Sequence, residues 1–347
     1  MGPHPAVAAV RLAVRRSLSG YDVDRPAVVA CSGGADSLAL AAATAFECRA
    51  AGRPAALVTV DHGLQDGSDL QASRVAGIGF ELGFDPVTVL RVDVGSAGGP
   101  EAAARTARYA ALERARSAAG GTQALVLLGH TADDQAETVL LGLGRGSGPR
   151  SIAGMRADAE GYLRPLLGLR RAIAIQACAK LGLPVWDDPH NDDPRFRRVR
   201  LRREVLPLLE DVLAGGVVEA LARTASQLAD DLDALDAIAA TLMREATVPT
   251  ADERAADEPA ADERAADEPG RAGTNSGRLA VAVLAEQPQA LRARVLKLWA
   301  EGHGTQPLTA SHLAELSRLI SDWRGQGPID LPGGYRVQRA SGSLEFI

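Results

Sequence analysis

The sequence predicts an α/β protein: a doubly wound parallel sheet followed by a smaller, mainly helical domain. Three observations lead there. Four short apolar runs, at 26–31, 55–60, 87–92 and 124–128, alternate with segments of helical composition, the pattern of successive βα units. The first run passes without a break into Ser32-Gly33-Gly34-Ala35-Asp36-Ser37 and then into the Ala- and Leu-rich stretch Leu38–Ala50. Finally, the densest polar clusters follow the first, second and fourth runs, the sheet edge at which such folds bind ligands.

Taken in order, the N-terminal residues 1–20 carry Arg11, Arg15 and Arg16 among Ala, Val and Leu, with no clean apolar core. They read as a surface helix and not as a signal peptide. The loop after the first strand pairs two glycines, which permit positive φ and close approach of the backbone to an anion. Ser32 and Ser37 add hydroxyl donors, and the following helix directs its N-terminal dipole at the same spot. The loop is therefore expected to hold phosphate. It has no Gly-Lys-Ser/Thr ending and no Gly-x-Gly-x-x-Gly spacing, so it is neither a Walker loop nor a dinucleotide fingerprint.

The second strand ends at Asp61-His62-Gly63-Leu64. Asp61 there suits a metal-bound water, a ribose hydroxyl or a plain turn, and His62 suits a phosphate. The fourth strand ends at Gly129-His130-Thr131-Ala132-Asp133-Asp134-Gln135-Ala136-Glu137-Thr138. His130, Asp134 and Glu137 are spaced by four and three residues, so a helix entry brings them to one face. Carboxylates so grouped suit Mg²⁺, an incoming ammonium or proton transfer, and one of Asp133 and Asp134 is expected to cap the helix.

The net charge of −6 is unevenly placed. Residues 251–270 are a nearly perfect decapeptide repeat holding eight acids and two arginines, whereas 195–203 holds six arginines and no acid. The basic run is the footprint expected for phosphate contacts; the acidic repeat buries nothing, so 248–277 reads as a disordered insertion without a catalytic role. The domain boundary is expected at Leu206-Pro207-Leu208-Leu209. Beyond it come helical spacing at 217–245, helices at about 288–301 and 309–322, and a terminal hairpin from Asp330 onward.

At 347 residues the chain has room for about two domains, and 46% hydrophobic content is ample for their cores. No apolar run reaches the roughly 20 residues of a membrane span. Cys31, Cys48 and Cys178 form no Cys-x-x-Cys pair, which argues against a zinc site and fits a reducing cytoplasm.

Ser-Gly-Gly-x-Asp-Ser resembles the PP-loop of ATP pyrophosphatases, and the wider set of clusters resembles the tRNA(Ile)-lysidine synthases. Asp61-His62-Gly63-Leu64, Glu101-Ala-Ala-Ala-Arg105-Thr-Ala-Arg108-Tyr109 and Gly129–Thr138 are similar to successive motifs of that family. The likeness continues through Arg145-Gly146-Ser147-Gly148, Gly154-Met155, Arg164-Pro165-Leu166-Leu167, Asp188-Pro189-His190-Asn191 and Arg198-Val-Arg-Leu-Arg202, so it spans about residues 25–209. Thr131 stands where a second His is common, Val199 stands where Asn is usual, and the large C-terminal extension of some members is absent.

The resemblance implies that ATP adenylates the 2-carbonyl oxygen of the wobble cytidine in the CAU-anticodon isoleucine tRNA. The ε-amine of L-lysine then displaces AMP to give lysidine, changing the codon read from AUG to AUA. ATP is expected at Ser32, Gly33, Gly34, Ala35, Asp36 and Ser37 with Asp61 and His62, and Mg²⁺ at Asp36. His130 and Asp134 are expected to receive the lysine ammonium, and Arg105 and Arg108 to clamp the AMP phosphate or the lysine carboxylate. Arg145, Arg198 and Arg202 are expected to hold tRNA, helped by the domain from 210 to 347, with the ATP phosphates as the alternative for Arg198 and Arg202. A homodimer is implied by the resemblance alone. The competing readings are a thiolating PP-loop enzyme, whose chemistry needs paired cysteines, and a non-enzymatic nucleotide sensor on the same sheet.

Overall fold

The computed structural model describes residues 2–63, 67–93, 95, 99–146, 148–187, 193–248 and 277–347, the side chains of 100–102 excepted. The acidic repeat, Asp188–Asn191, Leu64 and Ser147 lie outside the described residues. The chain forms two compact units, residues 1–229 and 230–347. The sequence reading sets its boundary at 209, twenty residues before the point where the units divide.

The first unit opens with α1 (Pro5–Leu18), β1 (Ala27–Ala30), α2 (Ala35–Ala51), β2 (Ala55–Asp61), α3 (Ser68–Leu82), β3 (Val87–Arg91), α4 (Pro100–Gly120) and β4 (Leu125–Leu128). It continues with α5 (Ala132–Arg145), α6 (Pro149–Ile152), β5 (Asp158–Ala159), β6 (Tyr162–Leu163), α7 (Arg171–Leu181), α8 (Arg197–Arg200), a π turn (Leu201–Val205) and α9 (Leu206–Val212). Helix α10 covers Val217–Ala246. The strand order is β3-β2-β1-β4-β6-β5, parallel except for β5 against β6. The four apolar runs are β1 to β4, each within a residue of its expected limits.

All residues of β1 and β4 are buried because both sheet faces are covered. Alternation along the strands sorts side chains into two cores. Val29, Leu57, Leu125 and Leu127 pack on the face covered by α1, α2 and α7, while Val28, Val58, Val126 and Leu128 meet Leu112 of α4 on the other. The N-terminal helix buries Val7, Val10, Val14 and Leu18, and Arg15 pairs with the buried Glu47 of α2 at 2.8 Å. Buried Arg53 donates to the carbonyls of Leu18, Tyr21, Asp22 and Arg25, tying down the α1–β1 connection. Strand order reverses between β1 and β4, so their C-terminal ends flank the crevice where ligands of doubly wound sheets bind.

The second unit combines α11 (Val281–Ala285), α12 (Gln289–Gly302) and α13 (Ala310–Ser321) with an antiparallel sheet of five strands. Its strands are β7 (Thr247–Val248), β8 (Arg278–Ala280), β9 (Ile329–Leu331), β10 (Tyr335–Ala340) and β11 (Ser343–Phe346), in the order β7-β8-β11-β10-β9. The expected helices and terminal hairpin are present; the rest of the sheet is additional. Ser341 and Gly342, both at positive φ, form the two-residue turn between β10 and β11. Trp299, Leu279, Leu284, Leu316, Leu319, Val337 and Leu344 fill the core between sheet and helices. No helix among the described residues is long and apolar enough to cross a membrane.

Candidate active site

The loop from β1 to α2 is shaped by its own side chains. Ser37 Oγ accepts from the Ser32 N–H at 3.1 Å and donates to the Gly34 carbonyl at 3.0 Å, folding the loop over the helix end. Gly33 takes φ +88°, and a Cβ there would stand 2.5 Å from Gln71 Nε2 and 2.8 Å from Val75 Cγ2. Gly34 is different. Its φ of −74° suits any residue, and only Ser32 Oγ, at 3.8 Å, lies within 4 Å of an added Cβ. No internal contact calls for glycine at 34, so its missing side chain leaves an open cradle over α2. That helix has no side-chain cap, which leaves its first-turn N–H groups to an anion.

Beside the cradle is a cavity of about 250 Å³. Ala30, Val58, Val60, Leu112 and Trp186 give it apolar walls; Ser32, Asp61, His62 and Arg108 give it polar ones. The backbone N–H of Trp186 donates to the Gly33 carbonyl at 2.9 Å, holding the chain at Trp186 against the loop. Asp61 uses one carboxylate oxygen to accept from the Gly63 N–H at 2.9 Å. Bonding from Ser68, and then from Gly63, holds Asp61 below its ordinary value, so its carboxylate serves the turn at the strand end. Burial, followed by the charge of Arg108, lowers His62, whose Nδ1 is buried without a hydrogen-bond partner.

The third motif opens α5. Thr131 and Asp134 form a capping box: Asp134 Oδ2 accepts from the Thr131 N–H at 2.8 Å and from its hydroxyl at 2.9 Å. Asp133 caps a different helix, accepting from the N–H of Arg171, the first residue of α7, at 2.8 Å. The same Asp133 pairs with Arg170, whose other end reaches Glu219 at 2.9 Å. Gln135 holds the Gly154-Met155 segment, accepting from the Met155 N–H at 2.8 Å and donating to its carbonyl at 3.0 Å. Leu169, just after the Arg164–Leu167 motif, accepts from the Ala132 N–H at 2.9 Å.

One guanidinium joins the first and third motifs. Arg171 Nε lies 2.9 Å from Asp36 Oδ2, and its Nη2 lies 2.6 Å from Asp134 Oδ1. The sequence reading did not single out Arg171. The available signal was a pair of arginines opening a helix, where the dipole disfavours cations and an acidic partner is needed. Burial pushes Asp36 up to about 6 against the pull of Arg171, and its Oδ1 is buried with no partner. Burial would also raise Asp134, but Arg171 and the bonds from Thr131 outweigh it and hold that carboxyl below its ordinary value.

Glu137, on the next turn of α5, is fully buried. Its Oε1 accepts from Arg202 Nε at 2.8 Å, and its Oε2 has no hydrogen-bond partner, Arg198 Nη1 being 3.9 Å away. Arg202 also reaches Asp134 Oδ1 at 3.7 Å, so both acids share a face of α5. Burial raises Glu137 despite Arg202. His130 is pushed down to about 3 by burial and then by Arg108, so it is neutral at physiological pH; its Nδ1 is buried and unpartnered. Arg105 is exposed and lies over the Tyr109 ring, while Arg108, one turn on, is half-buried beside the cavity.

The arginine run divides by face. Arg202 turns inward to Glu137, whereas Arg145, Arg195, Arg197 and Arg198 surround a second cavity of about 250 Å³ whose lining includes Leu141 and Phe196. Val199, at the position where the family usually has Asn, is buried.

Comparison with known proteins matches two stretches of the chain to known domains. Residues 11–209 match the model of a PP-loop domain, and residues 279–345 match that of a TilS substrate binding domain. The chain is 49% identical over 345 residues to a tRNA(Ile)-lysidine synthase of Thermobifida fusca, covering 99% of this chain and 98% of that protein. It is also 49% identical over 375 residues to the one of Streptomyces coelicolor, covering 99% of each. For the one of Mycobacterium tuberculosis the identity is 47% over 311 residues, covering 90% and 86%. Among solved structures, the U34-tRNA thiolase NcsA from Methanococcus maripaludis shares the fold, with a TM-score of 0.54 at 16% identity over 64% of this chain and 79% of that one. With its PP-loop domain and with relatives half identical along nearly its whole length, this chain belongs to the tRNA(Ile)-lysidine synthase family.

Proposed function

We propose that the charge cluster joining the PP-loop, the third motif and α7 performs the family's reaction, the ATP-dependent ligation of lysine to the wobble cytidine of isoleucine tRNA. The observation that carries this assignment is the convergence of Asp36, Asp134 and Glu137 on two guanidinium groups beside an open phosphate cradle. In the first step the cytidine 2-oxygen attacks the α-phosphorus of ATP, and the bond to the β-phosphate breaks to release pyrophosphate. The uncapped N–H groups of α2, with Ser32, Gly33, Gly34 and Ser37, cradle the phosphates, and the apolar cavity takes the nucleoside. Ala35 joins the cradle through its backbone, and His62 lines the nucleoside cavity beside Asp61, which shapes the turn.

Asp36 fits Mg²⁺, because Oδ1 is a buried acceptor without a partner at the edge of the cradle. Among the described residues no three His, Cys, Asp or Glu side chains form a metal cage, as expected where phosphates supply most of the shell. When bound, the ion neutralises charge on the leaving pyrophosphate.

In the second step the lysine ε-nitrogen attacks C2 of the adenylated cytidine, and the C2–O bond breaks with AMP taking the electron pair. Free lysine carries a proton, with a reference pKa of about 10.4, so the ammonium must first be bound and relieved of it. Asp134 and Glu137 supply the negative charge that draws the ammonium in; Glu137 Oε2 and His130 Nδ1 are buried acceptors with no partner. Asp134, already saturated by Thr131 and Arg171, serves as an anchor rather than a base. Arg108 takes the AMP phosphate, and exposed Arg105 the lysine carboxylate. Arg145 and Arg198, with Arg195 and Arg197, hold the phosphates of the anticodon arm, and the unit from 230 onward contributes further tRNA contacts. The protein works in the cytoplasm as a homodimer, a state that sedimentation would reveal.

The test is incorporation of labelled lysine into CAU-anticodon isoleucine tRNA with Mg-ATP. Label that vanishes when the wobble cytidine is replaced supports the assignment. Pyrophosphate release without label would sink the second step. Asp36→Asn should abolish pyrophosphate release; undiminished release would remove Asp36 from the site.

A further inference from the structure

In the assignments above Arg171 is a partner of Asp36 and Asp134 with no role of its own in either step. It opens α7, where the helix dipole disfavours a cation. It nevertheless stays there, four-fifths buried, with its backbone N–H held by Asp133 and its side chain divided between two acids from separate motifs. An arginine serving only α7 would face solvent or the helix C-terminus. This one spans from Asp36 of the PP-loop, 135 residues away in sequence, to Asp134 of the third motif. Its remaining nitrogen, Nη1, is buried with no partner among the described residues, so that end of the fork is not spent on them.

We propose that Arg171 is a positioning residue for both half-reactions, holding the nucleotide-side carboxylate and the amine-side carboxylate in register through one planar group. The inference rests on the functional reading above, in which Asp36 serves adenylation and Asp134 serves lysine. A planar fork does what a point charge does not. Nε and Nη2 lie in one plane on one carbon, so the two carboxylates are fixed in angle as well as distance. The side chain of Asp36 is thereby turned with Oδ2 inward and Oδ1 left over for the reacting groups. Supporting partners of this kind typically change affinity or activity by roughly 10–100-fold when removed.

The experiment uses the full chain with Arg171→Gln, Arg171→Lys, Asp134→Asn and the double variant Arg171→Gln/Asp134→Asn. Pyrophosphate release and transfer of lysine to pre-adenylated tRNA are timed separately in single turnovers, and lysine KM is measured. AMP binding and thermal melting report whether each variant is folded. The expected result is a loss of tenfold or more in both half-reactions and a raised lysine KM for Arg171→Gln, with AMP affinity within about twofold of wild type. Arg171→Lys should fail to restore the rates, because one ammonium does not bridge both acids. The double variant should lose no more lysine transfer than Asp134→Asn alone, since the two residues act as one unit.

Wild-type rates in either half-reaction for a folded Arg171→Gln would overturn the proposal, as would full activity of Arg171→Lys. Loss of kcat in proportion to lost folded protein, with KM unchanged, would mark Arg171 as scaffold only and overturn it too. Failure of the wild-type protein to transfer lysine at all would instead overturn the functional reading beneath it.

Discussion

Replacing Arg202 by Ala separates a structural partner from an RNA contact. Glu137 has no exposed side-chain surface, and among the described residues its side chain accepts the 2.8 Å hydrogen bond from Arg202 Nε. Without Arg202 the buried carboxylate would lose that hydrogen bond and keep only the 3.9 Å contact of Oε2 with Arg198. Breaking a buried pair by removing one partner costs roughly 3–5 kcal/mol. Arg202 is 31% exposed and Arg198 stands 3.9 Å from Oε2, so screening and partial compensation bring the expected cost to about 2–3 kcal/mol. The penalty depends on pH with a definite sign. Glu137 is raised above its unfolded value in the fold, so the native state binds the extra proton and stability falls as pH rises through that window. Loss of Arg202 raises Glu137 further and extends the window upward, so the variant suffers more near pH 8 than near pH 5. Hydrogen exchange of β1 and β4 peptides reads the global stability of this unit at both pH values. In a Glu137→Gln background the same substitution should cost less than about 1 kcal/mol, since no buried charge is stranded. Stability of Arg202→Ala within about 0.5 kcal/mol of wild type at both pH values, with weakened tRNA binding, would refute the pairing and return Arg202 to the RNA surface.

Three further outcomes follow from the same geometry. Gly33→Ala should destabilise by about 1–3 kcal/mol in urea unfolding, through positive φ and the crowding of Gln71 and Val75, whereas Gly34→Ala should stay within about 0.5 kcal/mol yet bind ATP more weakly by calorimetry. His130 is lowered to about 3 in the fold, so the unfolded chain binds the proton first and stability drops as pH falls below the unfolded value near 6.5. The advantage of wild type over His130→Asn should therefore shrink by at most about 1.4 kcal/mol per pH unit below that point, and a constant difference would show that His130 is not held neutral. Deleting 251–270 joins β7 to β8, which are already paired neighbours, through nine residues in place of twenty-nine; closure should favour the fold by roughly 1 kcal/mol, and turnover should remain within about twofold.

The parallel sheet was legible because each central strand is a short apolar run that ends at a polar cluster. Strands β5 and β6, two residues each, carry too little periodicity to be seen, and β7 and β8 are separated by the acidic repeat that hides their pairing. The PP-loop and the third motif were legible because their residues are contiguous. Arg171 was not, because its partners sit in the first turns of helices 135 and 37 residues away, and only folding brings them together. Likewise the arginine run could be recognised as basic, but only the folded chain shows that Arg198 lines a cavity with Arg145 and Arg197 while Arg202 hydrogen-bonds the buried Glu137.

Adjacent aspartates grip the same arginine at opposite ends: Asp133 holds the backbone of Arg171 and Asp134 the tip of its side chain. Such a grip makes the three positions a single heritable unit. A change at Asp133 removes the cap of the helix that carries Arg171, a change at Asp134 frees the tip, and a change at Arg171 takes from Asp36 and Asp134 the guanidinium they share. A laboratory lineage selected to reorganise this centre should alter the three together before it settles.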